Sequence, residues 1–200
     1  MYQIHHGYLQ REKLCEEVRW LYSGEFERIG KRLFAEHLVG GNFGNISIRD
    51  ERKNGFYIKR SGTYLDTASD PVFVPLTGEA PQEASSEFRV HREIYKKTRY
   101  HAIVHAHPPA AVAASLGMES IVPEDSEGLL LCPVISVVSG NPGSQDLADN
   151  VSKALLRSKL VIARGHGTFA AGDTVDEAYV FTSLAEHSCR VLAMKRMFFR

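Results

Sequence analysis

The sequence has 200 residues, of which 44% are hydrophobic and 24% charged, as in an ordinary globular protein with one core. The 24 lysines and arginines balance the 24 aspartates and glutamates, so no overall charge attracts the chain to nucleic acid or an anionic membrane. Three scattered cysteines indicate neither a disulfide framework nor a cysteine zinc site. No apolar run reaches the ~20 residues of a membrane span, and the start of the sequence lacks a secretion-signal pattern. We therefore expect a cytoplasmic protein.

The first half of the chain predicts helix, hairpin and helix in that order. Apolar residues between Leu14 and Val39 recur at helical spacing, which predicts one or two helices with Gly24 as a candidate break. The stretches NISIR (45–49) and GFYIKR (55–60) alternate as antiparallel strands do, with DERKNG as the turn between them. The stretch SSEFRVHREIYKKTR then predicts a helix whose serines are placed to cap it.

The second half alternates strands and helices. HAIVHAH (101–107) predicts a strand, and Pro108 and Pro109 predict the start of a helix, because a first-turn proline loses no helical hydrogen bond. CPVISVV and KLVIA predict two more strands around a helix from about Ser144 to Ser158.

The stretch TVDE predicts the start of the last helix. Thr174 can cap it, and Glu177 can reach back as the second member of a capping box. Because a hairpin occurs beside helix–strand alternation, we expect residues 1–200 to form one α/β domain. Its central sheet would be mostly antiparallel and flanked by helices.

Histidines at the end of the 101–107 strand are candidate metal ligands. His105 and His107 lie two residues apart, so in a strand they share a face and can converge on one ion. The alternative is that one is buried and hydrogen-bonded while the other lies at the surface. His166, in ARGHGTFAAG, is the third candidate, because flanking glycines let the backbone turn tightly around it. The other six histidines lie in polar or helical settings typical of solvated or capping roles.

Three short segments are candidate anion-binding turns. VGGNFGNIS (39–47), KRSG (59–62) and ASSE (84–87) each place glycine, asparagine or serine at the boundary of an element. Backbone N–H groups and hydroxyls there can surround a phosphate, and a helix N-terminus adds favourable dipoles. The alternatives are ordinary turns for the glycines and helix caps for the serines.

The ordered set of motifs resembles the class II aldolase/adducin family, and within it the fuculose-1-phosphate aldolase group. The resemblance spans roughly residues 12–195. It is carried by GNFGNIS, SG at 61–62, SSE at 85–87, HAH at 105–107 and RGHG at 164–167.

The resemblance assigns roles to individual residues. It implies that His105, His107 and His166 are zinc ligands, although three imidazoles also suit other divalent transition metals. It implies that Glu87 is the catalytic acid/base; without the resemblance, Glu87 is explained as a first-turn carboxylate that favours the helix dipole. The implied phosphate-binding residues are Gly44, Asn45, Ser61, Gly62, Ser85 and Ser86.

The resemblance also implies an activity and an assembly. The family's fold is a single α/β domain with a central antiparallel sheet, and its aldolases are usually homotetramers with active sites at subunit interfaces. The implied reaction is zinc-dependent, reversible cleavage of a ketose 1-phosphate, such as L-fuculose 1-phosphate, to dihydroxyacetone phosphate and a small aldehyde such as lactaldehyde. The alternatives are a pentulose-phosphate 4-epimerase, an enzyme like methylthioribulose-1-phosphate dehydratase, and a non-catalytic adducin-like interaction module.

Two segments depart from the family pattern. Family aldolases contribute a tyrosine to a neighbouring subunit from the segment after the HxH helix, and here that segment reads SIVPEDSEGLLL, without a tyrosine. Glu124, Asp125 or Glu127 is a candidate replacement, and the alternative is a solvated acidic loop. The family's second tyrosine lies in a C-terminal tail, whereas this sequence ends with MKRMFFR. The aldehyde that the enzyme would accept is therefore left open.

Overall fold

The computed structural model describes residues 20–199, and they form an eight-stranded sheet with helices on both faces. In chain order the elements are α1 (20–35), β1 (Asn45–Asp50), a 3-10 turn (Glu51–Lys53), β2 (Gly55–Ile58), β3 (Val72–Pro75), α2 (Phe88–Lys97), β4 (Ala102–Ala106), α3 (Pro109–Gly117), β5 (Ser120–Ile121), α4 (Ser126–Leu131), β6 (Ile135–Val138), α5 (Gln145–Ala154), β7 (Leu160–Ala163), β8 (Gly167–Gly172) and α6 (Val175–Phe198). Among these described helices, none is long and apolar enough to cross a membrane.

The sheet confirms the predicted fold class. Its strand order is β3-β2-β1-β4-β8-β7-β6-β5. Every pair is antiparallel except β6 and β7, which are parallel. A single α/β domain with a mostly antiparallel central sheet was expected, and the described residues form one.

The strand β4 lies near the middle of the sheet, and its side chains alternate between two covered faces. Ile103 shares a buried cluster with Val90 of α2 and with residues of α5, whereas Val104 packs in the cluster that contains α1 and the start of α6. All five residues of β4 are buried. Because residues two apart share a face, His105 lies on the same side of the sheet as Ile103. The fold therefore directs this histidine toward the α2 side.

The predicted hairpin is present. β1 and β2 pair antiparallel with Ser47 opposite Ile58. The turn between them contains the 3-10 segment and ends at Asn54, whose φ is 49°. β3 was not predicted; it adds to the outer side of β2 with Phe73 opposite Tyr57.

The helix after the histidine strand begins at the predicted prolines. Pro108 is the N-cap and Pro109 the first residue of α3, and neither offers a backbone N–H. The next two N–H groups, of Ala110 and Ala111, donate to a carboxylate oxygen of Glu186 at 2.8 and 3.2 Å. Glu186 lies on α6 and is buried, so the last helix fixes the start of α3 directly after His107.

Other helix ends differ from the prediction in detail. Thr174 caps α6 as predicted, since its hydroxyl accepts the N–H of Glu177 at 3.1 Å. Glu177 does not reach back to the N–H of Thr174; its carboxylate accepts the N–H of Asp173 at 2.8 Å instead. Gly24 does not interrupt α1, and the predicted helical residues 14–19 lie outside the described residues.

Candidate functional site

Three imidazoles converge at the end of β4. Candidate ligand nitrogens of His105, His107 and His166 all lie within 4.8 Å of one another. The Nε2 atoms of His105 and His107 are 3.0 Å apart, and the ring centroids of His105 and His166 are 4.7 Å apart. The structure therefore brings together the three histidines that the sequence singled out, in a group that can hold one metal ion.

The orientation of the His105 ring is fixed from two sides. Its Nδ1 lies 2.8 Å from the carbonyl oxygen of Thr168, and a carbonyl only accepts, so Nδ1 carries the proton. The ring of Phe169 stacks on it with the centroids 4.1 Å apart. Nε2 is consequently left with a lone pair that faces His107, as a metal ligand requires.

The protonation state of the three imidazoles also suits a metal. Burial lowers the pKa of His105 well below its ordinary value and the pKa of His107 to about 4, and it lowers the pKa of His166 as well. All three rings are therefore neutral at pH 7, which is the form that binds metal ions. In addition, Nδ1 of His166 is buried without a hydrogen-bond partner among the described residues. This donor set fits a divalent transition metal.

The third histidine is held by a turn anchored to α3. Gly165 has a φ of 64°, a backbone conformation that glycine adopts without strain. Its N–H donates to the hydroxyl of Ser115 at 2.9 Å, and Arg164 donates to the carbonyl of the same serine at 2.7 Å. Ser115 is fully buried, so it ties the RGHG turn to the helix that follows His107.

If the three histidines hold a metal ion, replacement of Ser115 by alanine is expected to weaken the binding of added zinc, used as the probe, by about tenfold, because groups that orient metal ligands typically contribute tenfold or more to affinity. The readout is the zinc dissociation constant from competition with a chelating dye. Ser152→Ala is the matched control, since Ser152 is also fully buried in a helix and also bonds back to the carbonyl three residues earlier. Equal zinc affinity of Ser115→Ala and the unaltered chain would show that this anchor does not position His166.

Glu87 lies beside the histidines at the N-terminus of α2. It is the N-cap residue, its side chain is 6% exposed, and its Oε1 is 3.9 Å from Nε2 of His166. Burial raises the pKa of its carboxyl group to about 7, and a backbone hydrogen bond from Gly143 partly opposes this shift. The second carboxyl oxygen, Oε2, is buried without a partner among the described residues. Glu87 can therefore exist in both protonation states near neutral pH.

One cavity of about 280 Å³ gathers all ten residues predicted from the sequence. Its lining combines the three histidines and Glu87 with Gly44, Asn45, Ser61, Gly62, Ser85 and Ser86. The predicted capping role of the serines is wrong, because the N-cap of α2 is Glu87 and no side chain caps this helix. Within residues 20–199, the hydroxyls of Ser61, Ser85 and Ser86 have no hydrogen-bond partner. They are thus free to bind a ligand in the cavity.

The glycine-rich turn before β1 needs glycine where it approaches the histidine strand. Gly44 has a φ of 70°, and a Cβ there would lie 2.8 Å from the carbonyl oxygen of His105. The next residue, Asn45, is opposite His105 in the β1–β4 register. Its Oδ1 is buried without a partner among the described residues, so this amide adds a further unused polar atom to the site.

Lys59 is a cavity residue that the sequence did not single out. It is 3% exposed, and its ammonium donates to the carbonyl oxygens of Asn42 and Thr63 at 2.6 and 2.7 Å. It thereby joins the glycine-rich turn to the KRSG turn. Burial lowers the pKa of this ammonium to about 8, which leaves it mostly charged at pH 7. Its position in the strand-like stretch GFYIKR gave no sign of burial.

His91 corrects the prediction that it is solvated or capping. It lies on α2, is fully buried, and its Nδ1 is 2.6 Å from the hydroxyl of Ser47. That hydroxyl is in turn 2.8 Å from the phenol oxygen of Tyr95. Burial lowers the pKa of His91 to about 3, so the ring is neutral in the folded protein.

The stability of the protein is expected to fall with acidification because of His91. Below about pH 6.5 the unfolded chain binds a proton at this residue, while the folded chain resists protonation down to about pH 3. The group therefore removes up to about 1.4 kcal/mol of unfolding free energy per pH unit through this range. Urea unfolding of His91→Gln between pH 6 and 4 should show a shallower slope than the unaltered chain. His101→Gln, at an exposed histidine, should keep the original slope, and equal slopes for all three proteins would refute this assignment.

The acidic segment after α3 is not a solvated loop throughout. Asp125 is the N-cap of α4, and its carboxylate accepts the N–H of Gly128 at 2.8 Å. Glu124 forms an ion pair with Lys195 of α6. The carboxylate of Glu127 accepts the hydroxyl of Ser126 at 2.8 Å, so all three acids have partners within the chain.

The fold and the cavity define an α/β protein with a three-histidine site that can hold a metal beside a buried carboxyl group. The chain belongs to the family described as "Class II Aldolase and Adducin N-terminal domain", whose sequence model matches residues 25–193. This confirms the resemblance predicted from the motifs.

Relatives and solved structures agree with this assignment. The crystal structure of L-fuculose-1-phosphate aldolase from Thermus thermophilus is similar with a TM-score of 0.84 and 34% identity, covering 90% of this chain and 96% of that one. An L-fuculose phosphate aldolase of Methanococcus maripaludis is 32% identical over 167 residues, 81% of this chain and 91% of the relative. Human gamma-adducin is 26% identical over 170 residues, 80% of this chain but 24% of the relative.

Proposed function

We propose that the chain is a zinc-dependent aldolase that reversibly cleaves a ketose 1-phosphate, such as L-fuculose 1-phosphate, to dihydroxyacetone phosphate and a small aldehyde such as lactaldehyde. The observation that carries the proposal is the convergence of three neutral imidazoles, one buried carboxyl group and three free hydroxyls in one cavity. The names of relatives that are 32 to 34% identical supply the substrate class. In this proposal residues 1–200 act as one aldolase-like domain.

His105, His107 and His166 are the proposed metal ligands. Three protein nitrogens with an open position are typical of catalytic zinc, and cobalt, manganese, nickel or iron also suit this donor set. When bound, the ion supplies Lewis-acid stabilisation of the negative charge that develops on the substrate's carbonyl and hydroxyl oxygens. The chain's contribution is to hold the three rings neutral and correctly turned, through burial and the carbonyl of Thr168.

Glu87 is the proposed catalytic acid and base. In the synthetic direction it would remove a proton from the carbon beside the ketone of dihydroxyacetone phosphate, and in cleavage it would return that proton. A carboxyl group with a pKa of about 7 suits both roles, because the base and the acid are then populated at neutral pH. Its unpartnered Oε2 supports a role in which that oxygen meets the substrate.

The substrate phosphate is proposed to lie against the two turns and the start of α2. The residues proposed to bind it are Gly44, Asn45, Ser61, Gly62, Ser85 and Ser86. Free hydroxyls and the N-terminus of a ten-residue helix suit a dianion. The ammonium of Lys59, in the wall of the same cavity, adds positive charge.

Asp125 helps to choose between aldolase and epimerase. A 4-epimerase needs an acid or base that handles the aldehyde fragment while it turns and adds again, and an acid in the loop near Asp125 would fit that role. Its carboxylate caps α4. Burial alone would raise the pKa of this carboxyl group, but the nearby hydroxyl of Ser188 and the hydrogen bond from Gly128 outweigh that effect and lower it. Because this carboxylate already has a structural role as the cap of α4, we favour the aldolase over the epimerase.

A homotetramer with active sites between subunits is the proposed assembly, by analogy with the family. Large apolar side chains are exposed on α4 and near the C-terminal end of α6, including Leu130 at 82%, Met197 at 74% and Phe198 at 81%. Large apolar side chains left exposed on these two helices suit an interface between subunits. Light scattering of the purified protein would measure the mass of the assembly directly.

The test is synthesis of a ketose phosphate. Zinc-loaded protein incubated with dihydroxyacetone phosphate and lactaldehyde should form a ketose 1-phosphate, and the His105→Ala variant should form none. Absence of product with the loaded, unaltered protein would contradict the aldolase proposal.

Metal analysis of protein purified without chelators separates the enzyme from a non-catalytic adducin-like module. About one zinc per chain is expected for a three-histidine catalytic site, and none for the module.

A further inference from the structure

A second hollow adjoins the proposed phosphate turns on the outer side of α2. It is a groove of about 680 Å³, bounded by residues between 78 and 84, by α2 and by Gln145 at the start of α5. Ser61 and Ser86 line both this groove and the histidine cavity. The two hollows therefore meet at residues proposed to bind the substrate phosphate.

Two arginines in the wall of this groove place their guanidinium groups against the same aromatic ring. The Cζ atoms of Arg89 and Arg92 are 4.8 and 5.1 Å from the centroid of the same Phe88 ring. The acid nearest in sequence, Glu93, forms ion pairs with Lys96 and Lys97 at 2.8 and 3.7 Å, not with either arginine. Within residues 20–199, neither guanidinium has a carboxylate at ion-pair distance. Glu79 and Glu93 also line the groove, but neither arginine forms an ion pair among the described residues.

The hydrogen-bonding capacity of these arginines is also unused. Nη1 of Arg92 donates to the carbonyl oxygen of Gly78 at 3.1 Å, while its Nε and Nη2 are covered and have no partner among the described residues. Nη1 of Arg89 makes one long hydrogen bond, 3.4 Å, to the carbonyl of Gly143. A guanidinium offers five N–H donors, and covered donors without acceptors are costly. Burial and the neighbouring Arg89 lower the pKa of Arg92, and the charge of Glu93 opposes this shift only in part.

We propose that Arg89 and Arg92 form a second oxyanion site, which binds a phosphate group beside the first. A guanidinium fork matches the oxygens of a phosphate, and both forks lie within about 5 Å of the Phe88 ring. The ligand is either a free phosphate ion or the second phosphate of a ligand whose first phosphate lies against Ser61 and Ser86. The existence of the site does not depend on the proposed aldol reaction; only the bisphosphate source rests on it.

Calorimetric titration of the metal-loaded, full-length protein with inorganic phosphate tests the site. About two phosphates per chain are expected, because two separate sets of donors are available. In Arg92→Gln the affinity of one of them should fall by about tenfold or more, since a charge-assisted donor is lost. The variant Ser85→Ala should weaken the other one only, because Ser85 lines the histidine cavity and not the groove.

Arg99→Gln is the matched control, because it removes the same charge from an exposed position just after α2. It should leave both phosphate affinities unchanged. Unchanged phosphate binding in Arg92→Gln and Arg89→Gln would overturn the proposal, as would equal weakening by Arg99→Gln, which would indicate a general charge effect. If the aldolase assay fails while this binding pattern holds, the oxyanion site stands and the proposed reaction does not.

Comparison of a ketohexose 1-phosphate with a ketohexose 1,6-bisphosphate distinguishes the two sources. If the groove takes the second group of one ligand, the bisphosphate should bind about tenfold tighter or more, and Arg92→Gln should abolish that advantage. If the groove takes a free ion, the two sugars should bind equally well while the second inorganic phosphate is still bound. Either result supports the oxyanion site if Arg92→Gln weakens the binding of the bisphosphate in the first case or of the second inorganic phosphate in the other.

Discussion

Replacement of Glu87 by glutamine is expected to lower kcat for the proposed ketose 1-phosphate cleavage by about 10³-fold, because a positioned general acid or base contributes about 10² to 10⁴ in rate. The amide keeps the size of the carboxyl group but cannot exchange a proton at the reacting carbon. The fold should be unaffected, because Glu87 occupies the N-cap position of α2 but its side chain makes no capping hydrogen bond. The free energy of unfolding should be unchanged or slightly higher, because a buried ionisable group is replaced by a neutral one.

The matched control for Glu87→Gln is Glu83→Gln, at an exposed glutamate four residues earlier. It should retain the kcat and the zinc content of the unaltered protein. Zinc content should also be retained in Glu87→Gln, which separates loss of proton transfer from loss of the metal. A variant Glu87→Gln with kcat within about tenfold of the unaltered enzyme would contradict the assignment of this residue as the acid and base.

Replacement of His105 by alanine is expected to abolish both zinc binding and activity. The ring is 1% exposed, contributes one of three nitrogens, and is fixed by the carbonyl of Thr168. A ligand that binds only the folded state raises the unfolding free energy by about 2.7 kcal/mol at a hundred times its dissociation constant. Thermal unfolding of the unaltered protein should therefore shift upward with zinc, and that of His105→Ala should not.

The matched control for His105→Ala is His101→Ala, four residues earlier in the same chain segment. The side chain of His101 is 49% exposed and lies just before β4. This variant should bind zinc and respond to it as the unaltered protein does. Retention of one zinc with unchanged affinity by His105→Ala would rule out the three-histidine centre.

The fold was predictable where local patterns and tertiary structure agree. Alternation and the two prolines predicted β4 and α3, and the Thr174 cap predicted α6. β8 was missed because its sequence, GTFAAG, is rich in glycine and alanine; it is a strand because it pairs with β4 on one side and β7 on the other. α4 was missed because a six-residue helix has no resolvable periodicity, and only its Asp125 cap marks its start.

The candidate site was predictable in residue type but not in geometry. Spacing put His105 and His107 on one face, and the family motifs added His166, Glu87 and the phosphate turns. The groups that orient and tune these residues come from elsewhere in the chain: Ser115 lies 50 residues from Gly165, and the backbone group that partly opposes the raised pKa of Glu87 belongs to Gly143. The burial of Lys59 and His91 was not predicted, because polar residues in regular elements give no local sign of burial.

The most direct test of the account is hydrogen exchange on dihydroxyacetone phosphate in D₂O without any aldehyde, followed by proton NMR. If the three histidines hold a metal beside a carboxyl base, the zinc-loaded protein should replace a hydrogen on the hydroxymethyl carbon with deuterium. That exchange should vanish in Glu87→Gln and in protein stripped of metal. No exchange by the loaded protein, or equal exchange by Glu87→Gln, would contradict the central claim.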